Sequence, residues 1–166
     1  MNSSSAPQWD IVLLTAGPYV APKPDDWYVS QIHHEESLLA EPLRRHGLSV
    51  LRADWADPSV DWTRVRCAVL RSTWDYFDRF PEFSAWLDKA AEQTRLINDH
   101  RLVRWNIDKH YLSDLARAGV EVVPTRYVEQ GERADLDELA REAGWEAIVV
   151  KPAVSGAARL TFRASG

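Results

Sequence analysis

Short β-branched runs alternate with longer amphipathic stretches through the first hundred residues, and this alternation constrains the fold more than any other feature. Asp10-Ile11-Val12-Leu13-Leu14-Thr15 is an apolar run ended by Gly17-Pro18. Such a run suits a strand buried on both faces of a parallel sheet. After a proline-rich loop, Asp25 or Asp26 can cap a helix that runs toward Arg45, with Ile32, Leu39 and Leu43 on one stripe. Pro42 should kink or shorten the last turn, and Gly47 ends it. Leu48–Ala53, Cys67–Arg71 and Arg95–Asn98 read as the second, third and fourth strands. Pro81 opens a helix carrying Phe83, Trp86, Leu87 and Ala90 inward. Alternation of this kind predicts an α/β fold: an N-terminal parallel sheet with flanking helices, joined right-handedly.

That first domain is expected over 9–98, and the pattern changes near Asp99. A helix over 101–118 carries Leu102, Trp105, Lys109, Leu112 and Leu115 at three- and four-residue spacing, and Gly119 stops it. Strands at 120–123 and 126–128, a helix at 134–143, a strand at 147–151 and a last strand at 158–163 then define a smaller α+β unit over 99–166.

Composition narrows the function classes. The chain has 166 residues, 45% hydrophobic and 27% charged, which is ordinary for a globular protein. A formal charge of −5 and a pI near 5.5 argue against a nucleic-acid surface, which shows as a basic stripe. No apolar run approaches the roughly 18 residues of a membrane span. The start, Met1 to Pro7, has neither the basic nor the apolar region of a signal peptide, so the cytoplasm is the expected compartment. The single cysteine, Cys67, lies in an apolar run and reads as a buried, inert thiol. Eight tryptophans are unusual; most fall beside turns or at element ends, where they plug junctions between layers.

The chemistry-bearing residues gather at two places. Lys151 closes an apolar strand and precedes Pro152 and a small-residue loop with Ser155 and Gly156. A lysine anchored there supplies a point charge, and small side chains let backbone N–H groups approach a phosphate. No Walker A pattern is present, since the lysine precedes the loop. The second place is Arg71-Ser72-Thr73-Trp74-Asp75-Tyr76, directly after the third strand. Ligands of open parallel sheets bind beyond such strand ends. Arg71 and Asp75 can hold the carboxylate and amine of a small zwitterion, with Tyr76 beside them, or they can pair with each other in a helix-entry turn. His33-His34-Glu35-Glu36 lacks metal-site spacing and reads as a solvated helix face, although His33 or Glu36 can line the same cleft.

The segments Trp105–Leu112, Gly119-Val120, Pro124-Thr125 and Val149–Pro152 together resemble the N-terminal ATP-binding subdomain of the ATP-grasp superfamily. Arg71–Tyr76, Glu82-Phe83 and Trp86-Leu87 resemble its small-molecule group, which includes the cycloserine-forming cyclo-ligase and relatives of bacterial glutathione synthetase. The resemblance implies that Lys109 and Lys151 hold nucleotide phosphates, with Ser155 and Gly156 in the flexible loop. It implies ATP and Mg2+ as cofactors, acyl-phosphate chemistry, and small carboxylate and amine substrates. It also implies that the magnesium ligands, the second jaw over ATP and the adenine hinge lie in a C-terminal part beyond this sequence. The expected function is thus the N-terminal portion of an ATP-dependent carboxylate–amine ligase, inactive by itself. A non-catalytic α/β module binding a small ligand or partner at the Arg71–Tyr76 edge is the alternative.

Overall fold

A computed structural model describes residues 7–165, and the chain divides into two compact units between Val103 and Arg104. The first unit carries β1 (Trp9–Thr15), α1 (Trp27–Arg45), β2 (Val50–Asp54), β3 (Val65–Ser72), α2 (Phe80–Gln93) and β4 (Arg95–Ile97). Its four strands are all parallel, in the order β2-β1-β3-β4. Leu13 pairs with Arg52 on one side and Val69 on the other, so β1 is central. Val12, Leu13 and Leu14 are buried accordingly. Cys67, on β3, is half-buried, and burial pushes its thiol pKa up, which keeps it in the unreactive protonated form.

Right-handed crossovers starting in opposite directions place α1 and α2 on opposite faces of the sheet. On the α1 face Leu13 packs with Ala40 and Val50, and Ile11, Leu43 and Val69 close around them. Period-two alternation sends Val12, Leu14 and Ala68 to the other face, where α2 buries Phe83, Leu87 and Ala90. Asp26 caps α1 by accepting from the Val29 N–H at 3.1 Å. Pro42 is accommodated inside the helix without shortening it, because the acceptor it leaves unused belongs to the exposed Leu38. The buried stripe of α1 is Val29, Ile32, Glu36 and Ala40; of the expected Ile32, Leu39 and Leu43, the first is buried and Leu43 packs on the core, but Leu39 is exposed.

The connection from β2 to β3 has no helix. Trp55 and Trp62 bracket it, and a single 3-10 turn (Trp62–Arg64) completes it. Aromatic bulk fills the layer instead. The Trp55 ring meets Phe83 at 5.1 Å and Trp86 at 5.7 Å, and Trp86 meets Trp62 at 5.7 Å. Plugging a layer is therefore the role of these three tryptophans. Trp27, Trp74 and Trp105 are exposed and do not share it.

The second unit departs further from expectation. The helix expected over 101–118 is broken into α3 (His100–Asn106) and α4 (Tyr111–Arg117). The Asp108 side chain accepts from the His110 backbone N–H at 3.0 Å, a local bond that competes with helix continuation. The stretch 120–129 forms no strand, since Pro124 removes a ladder donor and its neighbours find no partner strand. Helix α5 (Leu136–Ala143) is capped by Asp135 and closed by Gly144 at φ 69°. Strands β5 (Ala147–Val150) and β6 (Phe162–Ser165) pair antiparallel, so the last strand begins four residues later than expected. Positive φ at Ala157, Ala158 and Leu160 turns the backbone over the residues in between. No described residue from 104 onward is buried, and Val149 and Phe162 stand exposed on the two-stranded sheet. No helix in the described residues is long and apolar enough to cross a membrane.

Candidate functional site

Strand order β2-β1-β3-β4 reverses direction between β1 and β3, and ligands of open parallel sheets bind beyond the carboxyl ends of strands at such a switch point. Ala16 donates its N–H to the Ser72 carbonyl at 3.0 Å there, and the Thr15 and Ser72 hydroxyls share a bond of 2.7 Å. Beneath them lies a buried polar network. Ser72 donates to the Glu36 carboxylate, which also receives Arg52 Nε. Arg52 Nη1 reaches the carbonyls of Tyr19 and Val20 and lies 2.9 Å from His33 Nε2. His33 is therefore an inward-facing network member, and Glu36 is buried; only His34 and Glu35 form the solvated face expected of this segment. An arginine on β2, unremarkable in sequence, draws both inward.

Arg71 and Asp75 do not pair with each other. Arg71 binds Glu35 across the helix–strand junction. Asp75 accepts from Trp55 Nε1 at 2.7 Å and from Arg79 Nη1 at 3.1 Å, so both its oxygens are engaged. Arg79 in turn lies 4.4 Å over the Trp55 ring and binds Glu82. Tyr76 packs on Phe77 and Phe83, and burial pushes its hydroxyl pKa up.

Two parts of this edge lie outside the sequence-based expectation. Asp54 ends β2, and burial pushes its carboxyl pKa up against the Ala56 N–H bond, with the Asp75 charge adding to the rise. A Cβ on Gly17 would come within 2.8 Å of its Oδ2, so only glycine lets the two approach. The strand-end rule that singles out Asp75 applies equally to Asp54. The other part is a rim of Tyr19, Tyr28 and Trp74, whose rings stand 6.0–6.2 Å apart. Burial raises the Tyr19 pKa, and the charges of Tyr28, Asp75 and Asp26 add to it. Rings from three separate segments leave no local sequence signal.

The second unit brings the expected lysines toward one another. Lys109 lies on the turn between α3 and α4 and not on a helix. Its Nζ donates to the carbonyls of Ala153 at 3.1 Å and Ser155 at 2.9 Å, and its backbone N–H also bonds Ala153. Burial lowers the Lys109 pKa, the positive charge of Lys151 lowers it further, and Asp108 opposes both. Lys151 sits one residue past β5. Ser155 Oγ donates to the Arg159 carbonyl, and Gly156 follows in the loop. Among the described residues no group of three or more His, Cys, Asp and Glu side chains could hold a metal ion.

His110 is the unforeseen neighbour. It contacts Asp108 at 2.6 Å, lies 3.3 Å from Glu129, and stacks on Tyr127 at 4.1 Å. The bond to Asp108 raises its pKa above the ordinary value of 6.5, with Glu129 adding to the shift. Burial pushes the Asp108 carboxyl up, but its bonds to His110 outweigh that and hold it low. A raised histidine pKa contributes stability that is complete below the unfolded value and is lost as pH rises through the folded one. NMR titration should therefore find His110 ionising above 6.5, and Asp108→Asn should return it toward that value; a His110 pKa below 6.5 would contradict the pairing.

Known proteins are similar to this chain in sequence and fold. The profile of the D-cycloserine synthetase DcsG N-terminal domain matches residues 11–98. The cycloserine biosynthesis protein DcsG of Streptomyces lavendulae is 40% identical over 124 residues, covering 73% of this chain and 42% of that protein. The crystal structure of D-cycloserine synthetase DcsG superposes with a TM-score of 0.76 at 33% identity, over 93% of this chain and 50% of that one. The chain thus spans about half the length of the relatives it matches. It belongs to the family of the D-cycloserine synthetase DcsG N-terminal domain.

Proposed function

We propose that this chain is the N-terminal portion of an ATP-dependent carboxylate–amine ligase of the ATP-grasp kind. Lys109 and Lys151 hold the nucleotide phosphates, and Ser155 and Gly156 belong to the loop that covers them. The observation that carries this reading is the hold of Lys109 on the Ala153 and Ser155 carbonyls of the small-residue loop that follows Lys151, in a chain of the cycloserine synthetase family. ATP supplies the phosphoryl group that activates a carboxylate; the chain's own part is to bind and orient.

Substrate recognition belongs at the crevice beyond β1 and β3. Arg71 and Asp75 are engaged by protein partners, so a small zwitterion there displaces Glu35 from Arg71 or uses the unpaired side of Asp54. The chain's lack of a buried residue among those described beyond 104 supports the further proposal that catalysis needs the additional length its relatives carry. Localisation in the cytoplasm is part of the same proposal.

Equilibrium titration of the 166-residue chain with ATP tests the lysine assignment. Exposed charge contacts contribute on the order of 1 kcal/mol each, so Lys109→Ala and Lys151→Ala should each weaken ATP about fivefold. Affinity should also fall as salt rises. Unchanged affinity in both variants would remove the lysines from the site.

A further inference from the structure

A cavity of about 320 Å³ lies between the helix-less β2–β3 connection and α2. Trp55, Trp62 and Trp86 wall it, and Asp57 and Lys89 stand at it. It shares none of Arg71, Asp75, Tyr76 or His33 with the strand-end crevice, and its chemistry is independent of the ligase reading. The void has a structural origin. Where a crossover helix would fill the layer, this chain has ten residues and a 3-10 turn, and three indoles leave the remainder open.

The polar groups around it are unequally used. Glu82 is taken by Arg79 through two bonds, of 2.6 and 2.9 Å. Trp55 spends its N–H on Asp75. The Trp86 N–H, by contrast, is buried and has no acceptor among the described residues. Lys89 is exposed and forms no ion pair among the described residues, where the Asp57 carboxylate accepts only the Ser59 N–H, at 2.8 Å. Among the described residues, an ammonium with no ion pair and a carboxylate holding one backbone N–H therefore flank an aromatic wall. A pocket of this size holds a molecule of roughly a dozen heavy atoms, with an apolar body oriented by a few polar groups.

We propose that this cavity binds a small α-amino acid with an aromatic or bulky apolar side chain. Its side chain lies against Trp62 and Trp86, its carboxylate meets Lys89, and its ammonium meets Asp57. Opposite charges on the two rim groups select a zwitterion over a simple acid or amine of the same shape.

The probe is L-phenylalanine, titrated into the full 166-residue chain and read on the indole N–H signals, with Trp86→Phe identifying that of Trp86. Saturable shifts of the Trp86 and Trp62 signals are expected. Phenethylamine and 3-phenylpropanoate each lack one charge and should bind about tenfold more weakly. Lys89→Ala and Asp57→Asn should each weaken phenylalanine about fivefold while leaving the melting temperature and the ATP affinity unchanged. Absence of saturable shifts would overturn the site. Equal binding of all three probes, or full affinity in both variants, would overturn the zwitterion assignment.

Discussion

Glu36→Ala should destabilise the protein by about 3–5 kcal/mol, the loss expected when one partner of a buried ion pair is removed. Glu36 is 3% exposed and receives both Arg52 Nε and the Ser72 hydroxyl. Without it, Arg52 keeps its charge in a site where its Nη2 already lacks an acceptor among the described residues. The Ser72 hydroxyl falls back on Thr15. Because Arg52 also holds the carbonyls of Tyr19 and Val20, the aromatic rim loses its anchor in the same step. Glu36→Gln keeps an acceptor of the same size and should cost less than the alanine variant. Urea unfolding of the three proteins measures this. A loss below about 1 kcal/mol for the alanine variant would mean that water reaches the Arg52 guanidinium.

The same network shows where sequence reading stops. Strand β1 is legible because burial on two faces forces a continuous apolar run, β2 to β4 keep shorter apolar runs between turn signals, and amphipathic spacing marks α1 and α2. Gly47, at φ 81°, and the capping Asp26 punctuate α1 as their chemistry dictates. Glu36 reads as solvated because a carboxylate on a helix is ordinarily so. The arginine that makes its burial tolerable sits on β2, sixteen residues away, and only the parallel pairing of β1 and β2 brings it there. Asp54 is the opposite case, since its strand-end position is visible in the sequence and the same rule that marks Asp75 reaches it. In the second unit, helix spacing at Leu102, Trp105, Lys109 and Leu112 continues through a local Asp108–His110 bond that breaks the helix. The order of Lys109 and Lys151 along the chain is legible. That Lys109 spends its ammonium on the Ala153 and Ser155 carbonyls is not, because backbone acceptors carry no residue-type signal.

Those carbonyl bonds bear on catalysis. In the proposed nucleotide complex Lys109 exchanges two neutral acceptors for phosphate oxygens, a trade that charge-assisted bonding favours. Holding a triphosphate by two lysines does not by itself drive its transfer, however. Phosphoryl transfer depends on positioning and on neutralising charge that builds on the transferred group. Asp137, Glu138 and Glu142 are exposed on α5, as expected of a solvated face.

Phosphate release, assayed with ATP, magnesium and a panel of small amino acids, tests the central claim most directly. The 166-residue chain should bind ATP and release no phosphate above background. The same chain extended by joining it to the part of its cycloserine synthetase relative that it does not cover should release phosphate in step with product. Lys151→Ala in that extended protein should lower kcat/KM by about 100-fold or more, the loss of one group that stabilises transferring charge. Turnover by the 166-residue chain that survives purification and disappears in Lys151→Ala, or an extended protein that binds ATP without turnover, would contradict the account.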